Sequence, residues 1–312
     1  MSEENFWQLA DPYRRELLAH CYRMLGSHQD AEDLVQDTML RAWQAYDGFA
    51  GRSSLRTWLY RIATNACLNV LKSAQRRVLP SGLGSGTESA DVLPRIESVP
   101  WLGPLPTGGA DPAELATLRA STRLAVVAAF QRLPARQRAV LMLVEVAGFP
   151  IREAAEALDM TTAAARSALQ RARATLAHDT PVEDDVPRDA GVDEEVVKRY
   201  LKAFEDADTA GLARLLRADV EYQMPPIAVW FRGRDAVLQH HTRHVFTSPR
   251  RALPANANGS PAVGSYTRAA DGSFTAHAIH VLEAEEGRLT GIVVFLDATL
   301  FPAFGLPESL PV

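Results

Sequence analysis

Cysteine is scarce in this chain of 312 residues, which contains only Cys21 and Cys67. No CxxC pair and no cluster of cysteine with histidine has the spacing of metal ligands, so a disulfide scaffold and a zinc module are excluded. No metal or other cofactor is expected. Both cysteines lie within apolar helical patterns and are predicted to be buried thiols.

Long apolar runs are also missing. No stretch approaches the roughly 18 apolar residues that cross a bilayer, and the first residues are acidic where a secretory signal is basic and then apolar. The chain is therefore expected to be cytoplasmic, without a membrane partner. Hydrophobic residues at 47% and charged residues at 23% are typical of globular proteins, and the length allows two or three domains.

Acidic side chains are absent from two stretches of a chain whose net charge is −5. Residues 48–87 contain six Lys or Arg and no acid, and residues 160–178 contain three Arg and no acid. Residues 30–47, in contrast, contain five acids and one base. Acid-free basic stretches suit DNA phosphates, whereas residues 181–312, with 13 bases and 19 acids, suit a different partner.

Apolar periodicity predicts a multidomain protein with two all-α domains followed by an α+β domain with an antiparallel sheet. The first domain is expected to have helices near residues 12–25, 29–46 and 54–75, and the second to have four short helices. The expected divisions are a helical domain at 1–78, a Gly/Pro/Ser-rich linker at 79–112, a helical domain at 113–178, an acidic linker at 179–191 and the α+β domain at 192–312.

The α+β domain is predicted from a change of pattern after residue 191. Its helices are expected at residues 192–206, 210–216 and 235–246, and its strands at 220–224, 262–268, 274–283 and 289–296.

Residues 149–176 form a predicted helix-turn-helix. A helix over residues 151–158 ends at a tight turn, and Thr161 or Thr162 caps a second helix with Ala165, Leu169, Ala172 and Leu176 inward. The alternative is an alanine-rich hairpin with a solvated basic face, but solvated helices usually interleave both signs. The candidate DNA-binding residues here are Thr161, Thr162, Arg166, Ser167, Gln170, Arg171 and Arg173.

An acidic helix in the first domain precedes an acid-free helix. The acidic helix is expected to present Asp30, Asp33, Asp37 and Arg41 outward, with Leu34, Val35 and Trp43 inward. Aromatic and amide groups on the next helix suit unstacked bases, and its cations suit the backbone. The candidates for DNA contact are Arg52, Arg56, Trp58, Arg61, Asn65, Lys72 and Arg76, although Trp58 and its neighbour Tyr60 also fit a core position.

These two stretches carry a family resemblance. The string AHCYRMLGSHQDAEDLVQDTMLRAW and the following SSLRTWLYRIATNACLNVLK resemble region two of extracytoplasmic-function sigma factors of RNA polymerase. The string LPARQRAVLMLVEVAGFPIREAAEALDMTTAAARSALQRARATL resembles their region four. Together the two blocks span roughly the first 178 residues.

The resemblance implies an alternative sigma factor that binds core polymerase and promoter DNA. It implies that the acidic helix contacts the β′ clamp helices, that region four contacts the β flap, and that the acid-free helix melts and reads the minus-ten element. The helix over residues 161–173 would read the minus-thirty-five element. Ala164, Ala165, Arg166 and Ala168 depart from the usual recognition-helix pattern, so the promoter sequence is not implied.

The third domain resembles the SnoaL-like cone-shaped α+β barrel, as in the SigG-like and SigJ-like sigma factors. In such proteins the appended domain is thought to modulate sigma activity. Residues 99–108, VPWLGPLPTG, are similar to their Trp-Leu-Pro linker motif, so Trp101 and Leu102 are expected to make interdomain contacts.

A barrel of this type encloses a cavity, for which the candidate residues are Tyr222, Trp230, His240 and His244. His277 and His280, three apart on a predicted strand, are expected to face opposite sides and not to share the cavity. A small-molecule ligand is therefore expected in place of catalysis. A ligand-responsive DNA-binding regulator and a polyketide-cyclase-like enzyme are the alternatives to a sigma factor.

Overall fold

A computed structural model describes residues 3–49, 51, 53–88, 92–108, 121–179 and 194–311. The chain divides into two compact units. The helical unit combines the residues up to Arg77 with those from Leu124, and the second unit combines the segment that begins at Val78 with the C-terminal part of the chain. Arg52, the predicted start of the second helical domain at residues 113–120 and most of the acidic linker lie outside the described residues.

The helices of the helical unit largely match the predicted pattern. They are α1 Glu3–Ala10, α2 Arg14–Leu25, α3 His28–Ala45, α4 Leu55–Val70, α5 Leu124–Gln131, α6 Ala135–Leu141, α7 Ile151–Ala157 and α8 Thr162–Asp179. A π-helical turn, Met142–Val146, extends α6. Helix α1 was not predicted, and α4 ends five residues earlier than expected.

Local capping explains where the first helices begin and end. Gly26 terminates α2 with a φ of 74°, a conformation that glycine adopts without a Cβ penalty. The Ser27 hydroxyl then accepts a hydrogen bond from the Asp30 amide at 3.2 Å, and the Ser54 hydroxyl accepts one from the Thr57 amide at 3.0 Å. Both serines are therefore N-caps.

The core of the first helical bundle lies between α2, α3 and α4. Cys21 and Cys67 are fully buried there, as predicted. Leu34 and Val35 face inward as expected, but Trp43 is 37% exposed, so its predicted inward position is wrong. None of the described helices combines the length and the apolar character needed to span a bilayer.

A buried guanidinium joins the two groups of helices in this unit. Arg138 on α6 is 4% exposed and donates to the carbonyl oxygen of Met24 at the end of α2. It also donates to the Gln131 side chain at 2.6 Å and to the Leu133 carbonyl at 3.1 Å, while the Gln131 amide donates to the Arg23 carbonyl. Burial lowers the pKa of Arg138 to about 10.

The second unit is an α+β domain, as predicted. Its helices are α9 Glu194–Glu205, α10 Thr209–Leu215 and α11 Arg234–His240, which continues as the π-helical turn His241–Val245. Its strands are β1 Leu216–Gln223, β2 Trp230–Arg232, β3 Arg250–Ala257, β4 Ser260–Arg268, β5 Phe274–Glu285, β6 Arg288–Phe295 and β7 Ser309–Leu310.

The sheet of this domain is mixed and not purely antiparallel. Its order is β2-β1-β6-β5-β4-β3, with β7 added to β5, and β1 runs parallel to β6. The remaining pairs are antiparallel. Helix α9 packs on β3 and α11 packs on β1, which closes one face of the sheet around Tyr200, Phe204 and Tyr222.

Residues 78–88 and 92–108, here called the interdomain segment, pack on this domain. Trp230 donates its indole N–H to the Gly84 carbonyl at 2.9 Å, and a Cβ at Gly86 would lie 2.9 Å from the Trp230 ring. Further along, Leu105 and Asn258 exchange two hydrogen bonds, of 2.8 Å and 3.0 Å. The segment predicted to be a linker is therefore an ordered part of the second unit wherever the structure describes it.

We expect Arg138→Met to lower the free energy of unfolding of the helical unit by about 2–4 kcal/mol, because several buried oxygens lose their donor. Urea unfolding of the full chain, followed by the helical circular dichroism signal, measures this change. Arg136→Met removes an exposed cation from the same helix and should change the value by about 0.5 kcal/mol or less. Equal effects of the two substitutions would contradict the role assigned to Arg138.

Candidate nucleic-acid interface and C-terminal cavity

The turn between α7 and α8 has the geometry of a helix-turn-helix. Asp159 adopts a φ of 51°, and the Thr161 hydroxyl accepts a hydrogen bond from the Ala164 amide at 3.1 Å. Thr161 is thus the N-cap of α8. Ala165, Leu169 and Ala172 are buried as predicted.

The outward face of α8 is basic and exposed. Its exposed polar side chains, among the residues with described burial, are Thr161, Arg166, Ser167, Gln170, Arg171 and Arg173, with Thr162 half-buried. Arg173 lies 2.5 Å from Glu145, yet its side chain is 63% exposed. Within the described part of the chain, neither Arg166 nor Arg171 has an ion-pair partner. These two cations are therefore free to meet phosphates or base edges.

Arg56 on α4 has a different environment from the exposed arginines of α8. Its Nε donates to both Glu16 oxygens at 3.0 Å, and its Nη1 donates to the Ala147 carbonyl at 3.0 Å. The guanidinium also lies 4.9 Å from the ring centres of Tyr60 and Phe149. The hydrogen bonds to Glu16 raise the pKa of Arg56. In this arrangement the guanidinium of Arg56, which the sequence predicted to contact DNA, is bound instead by Glu16 and by the Ala147 carbonyl.

The rest of the α4 face borders α7. Asn65 donates its amide to the Ala157 carbonyl at 3.2 Å, Thr57 donates to Glu153 at 3.4 Å, and Arg61 lies 3.7 Å from Asp159. A groove of about 480 Å³ remains between the two helices. It is lined by Ser53, Ser54, Thr57, Trp58, Arg61, Pro150, Arg152, Glu153, Glu156 and Ala157.

The remaining candidates on α4 and after it are accessible. Trp58 is half-buried and its ring lies 4.8 Å from that of Phe49, whereas Tyr60 is a core residue at 3% exposure. Lys72 and Arg76 are exposed. The structure thus brings Trp58 and Arg61 to the groove and leaves Lys72 and Arg76 beyond it.

Helix α3 presents the predicted acidic face together with two apolar side chains. Asp33 is exposed, Asp37 pairs with Arg41 at 2.8 Å, and Asp30 pairs with Arg77 at 2.6 Å. Leu40 and Trp43, exposed by 46% and 37%, lie on the same helix. Sequence periodicity alone missed this apolar pair, although two large apolar residues next to outward acids are a signal of a contact surface.

The second unit encloses a cavity of about 150 Å³. Tyr222, His240 and His244 line it as predicted. Trp230 does not, since its indole packs against the interdomain segment. His280 bridges the Tyr200 hydroxyl at 2.8 Å and the Ser265 hydroxyl at 2.9 Å.

The expectation that His277 and His280 face opposite sides is wrong, because both line the cavity. Ser265 on β4 pairs with Ala278, whereas its neighbour Tyr266 pairs with Ala276, so His277 is an extra residue in β5. A bulge of this kind re-aims a side chain and breaks simple alternation. Burial lowers the pKa of His240 to about 3 and of His277 to about 4.

Trp101 and Leu102 belong to the interdomain segment. The Trp101 indole donates to the Ile96 carbonyl at 2.8 Å, and Val78 pairs with Trp101 in a short parallel bridge. Leu102 is fully buried. Both residues therefore shape the segment itself.

Comparison with known proteins gives matches over most of the chain. Residues 9–77 match the family Sigma-70 region 2, and residues 123–176 match Sigma-70, region 4. The chain is 48% identical over 310 residues to the ECF RNA polymerase sigma factor SigG of Mycobacterium tuberculosis, an alignment that covers 96% of this chain and 83% of SigG. It is 29% identical over 234 residues to SigJ of the same species, covering 72% of this chain and 69% of SigJ.

Among solved structures, the fold resembles the crystal structure of the M. tuberculosis extracytoplasmic function sigma factor SigJ. The TM-score is 0.58 at 24% identity, with 95% of this chain and 98% of that chain covered. The order of two helical regions and an α+β domain is thus a shared architecture.

The buried histidines predict a pH-dependent stability of the second unit. The pKa of His240 falls from 6.5 to about 3 on folding, so the unfolded chain binds more protons between these values and stability declines as pH falls. From pH 7 to pH 5 the contribution of His240 is a loss of about 2 kcal/mol. Hydrogen exchange of β5 amides in the full chain measures this loss. His240→Gln should reduce the pH dependence of the stability of this unit, and Gln239→Ala, at an exposed residue, should leave it unchanged. Equal slopes of stability against pH in the two variants would contradict the role of His240.

Proposed function

We propose that three surfaces of this protein each bind a different part of the transcription machinery. The chain belongs to the extracytoplasmic-function RNA polymerase sigma factors. Such a factor binds core polymerase and directs transcription initiation at its promoters, so it is a transcription subunit and not an enzyme. The observation that carries the proposal is the exposed, acid-free face of α8. We place the protein in the cytoplasm, where polymerase works.

Helix α8 is the reader of the minus-thirty-five element. Arg166 and Ser167 lie near its N-terminal end, where a recognition helix approaches base edges. Arg171 and Arg173 follow one to two turns later, where they reach phosphates. The helices α5 to α8 that hold this reader contact the β flap.

Helix α4 is the reader of the minus-ten element, and the groove against α7 is a closed state of that reader. Trp58 and Arg61 line the groove, and Asn65 is held by the Ala157 carbonyl. An unstacked base needs the aromatic ring and the amide to be free. Binding of polymerase and promoter therefore separates α4 from α7, and Lys72 and Arg76 follow the strand from the open side. Arg52 is included in this surface from the sequence alone.

Helix α3 is the contact for the β′ clamp helices. Asp33, Asp37 and Arg41 supply the charges, and the exposed Leu40 and Trp43 supply apolar area. Interfaces are typically built in this way, with an apolar centre inside a polar rim. Asp30 is held by Arg77 at 2.6 Å and positions the start of the helix.

The C-terminal domain modulates these activities in response to a small molecule. Trp101 and Leu102 order the interdomain segment itself, and this segment is also part of the covalent connection between the two sigma regions. The cavity lined by His240 and His244 is the ligand site. The alternative function of this cavity is catalysis of a polyketide-cyclase-like reaction. The alternative function of α8 is to bind DNA without polymerase, as in a stand-alone regulator.

Transcription in vitro with core polymerase tests the reading role of α8. We expect Arg166→Ala to weaken promoter binding of the holoenzyme by about 1–3 kcal/mol, because a guanidinium contact is lost. Arg199→Ala removes an exposed cation from α9 and serves as the control. Equal promoter affinity of the two variants would exclude α8 as the reader, and tight binding without core polymerase would favour the stand-alone regulator.

Locking the groove tests its closed state. Thr57→Cys combined with Glu153→Cys allows a short bismaleimide to join α4 to α7, while Cys21 and Cys67 are buried and do not react readily. We expect the cross-linked protein to lose promoter-specific transcription by at least about tenfold, because the base-binding face cannot open. Each single variant, treated alike, should stay active. Full activity of the cross-linked protein would refute the closed state.

A further inference from the structure

The cavity of the C-terminal domain holds a polar side chain without a partner. His240 is 4% exposed and lines the cavity, and neither of its ring nitrogens has a hydrogen-bond partner in the described part of the chain. Buried polar groups in folded proteins are nearly always paired, so an orphan of this kind requires an explanation. A ligand in the cavity would supply the missing hydrogen bond.

The charge at this cavity indicates the sign of that ligand. Arg250 lines the wall, and its Nε donates to the Val245 carbonyl at 3.1 Å, but no carboxylate among the described residues pairs with it. Among the residues that the structure describes, no Asp or Glu lines the cavity. Arg95, close enough to act on the charge of His277, adds a second cation nearby. Two cations at this cavity, Arg250 in the wall and Arg95 nearby, favour an anion as the ligand.

The size and lining of the cavity indicate the shape of the ligand. Its volume is about 150 Å³, and Phe204, Tyr222, Met224 and Val294 form apolar walls. An apolar cavity of about this volume accommodates one benzene ring. A fused-ring or long-chain molecule is too large for it.

Residues 92–96 of the interdomain segment run beside this cavity and are here called the strap. Leu93 lines the cavity and packs on the buried core around it. Among the described residues, two backbone hydrogen bonds join the strap to the loop after β1, from the Ile96 amide to the Pro226 carbonyl at 2.9 Å and from the Ala228 amide to the Pro94 carbonyl at 3.4 Å. So few bonds allow the strap to open and admit a ligand.

We propose that the cavity binds a small aromatic carboxylate with a single ring, whose carboxylate pairs with Arg250 and accepts a hydrogen bond from His240. The ring lies between the apolar walls, and Leu93 of the strap closes over it. The proposal deepens the ligand-dependent regulation proposed above and rests on it for its biological meaning. Binding itself requires neither polymerase nor DNA.

Calorimetric titration of the purified full chain tests this assignment, with benzoate as the probe and benzamide as its neutral isostere. We expect benzoate to bind at least tenfold more tightly than benzamide. Arg250→Gln should weaken benzoate binding at least tenfold. Arg251→Gln, at the adjacent residue whose guanidinium lies 5.3 Å from the Phe274 ring, should leave binding unchanged. Equal binding of the two probes, no binding of either, or equal effects of the two substitutions would overturn the proposal.

A second variant tests the strap independently of the charge. Leu93→Ala enlarges the cavity, so 1-naphthoate should bind to this variant and not to the original chain. Benzoate should also slow hydrogen exchange at the Ile96 and Ala228 amides, because the strap closes on the bound ring. Exclusion of 1-naphthoate from both proteins, or unchanged exchange, would remove the strap from the site. Benzoate binding without any effect on transcription would instead refute the regulatory role and leave the binding site intact.

Discussion

The arrangement of the helical unit depends on a buried cation that has no acidic partner among the described residues. Arg138 uses its guanidinium to bond the carbonyl of Met24 at the C-terminal end of α2, where the helix dipole is negative. The two terminal nitrogens of the guanidinium also donate to the Gln131 side chain and to the Leu133 carbonyl. Because the charge is held by carbonyls and amides of both helix groups, their separation would leave a cation and several oxygens without partners.

The arginines of the acid-free stretches divide into two kinds once the chain folds. The Arg56 guanidinium donates hydrogen bonds to Glu16, forty positions earlier in the sequence, and to the Ala147 carbonyl. Arg166 and Arg171 stay exposed without a paired carboxylate in the described part of the chain. Local acid depletion therefore identifies a candidate surface, but it does not distinguish a cation that binds outward from one that holds the protein together. Only the fold separates the two.

Predictions from sequence succeeded where a local rule determines structure. Thr161 is one of the two N-caps that the sequence offered for the second helix of the hairpin, and the two helical regions and the α+β domain followed from periodicity. The shared cavity of His277 and His280 was missed because one extra residue in β5 reverses the alternation, and nothing in the local sequence marks it. The packing of the interdomain segment was missed because it depends on backbone hydrogen bonds and on isolated contacts such as those at Gly84 and Leu105. Contacts of this kind produce no periodic pattern of apolar residues in the sequence.

The contacts that hold the interdomain segment on the C-terminal domain limit the free length of the chain between α4 and α5. Gly86 faces the Trp230 ring so closely that no side chain fits, and Leu105 is clasped by Asn258. The same stretch of chain connects α4 to α5, so each residue that is held by the C-terminal domain shortens the free length of chain between the two helical regions. Release of the strap would add its residues to the free length of this connection.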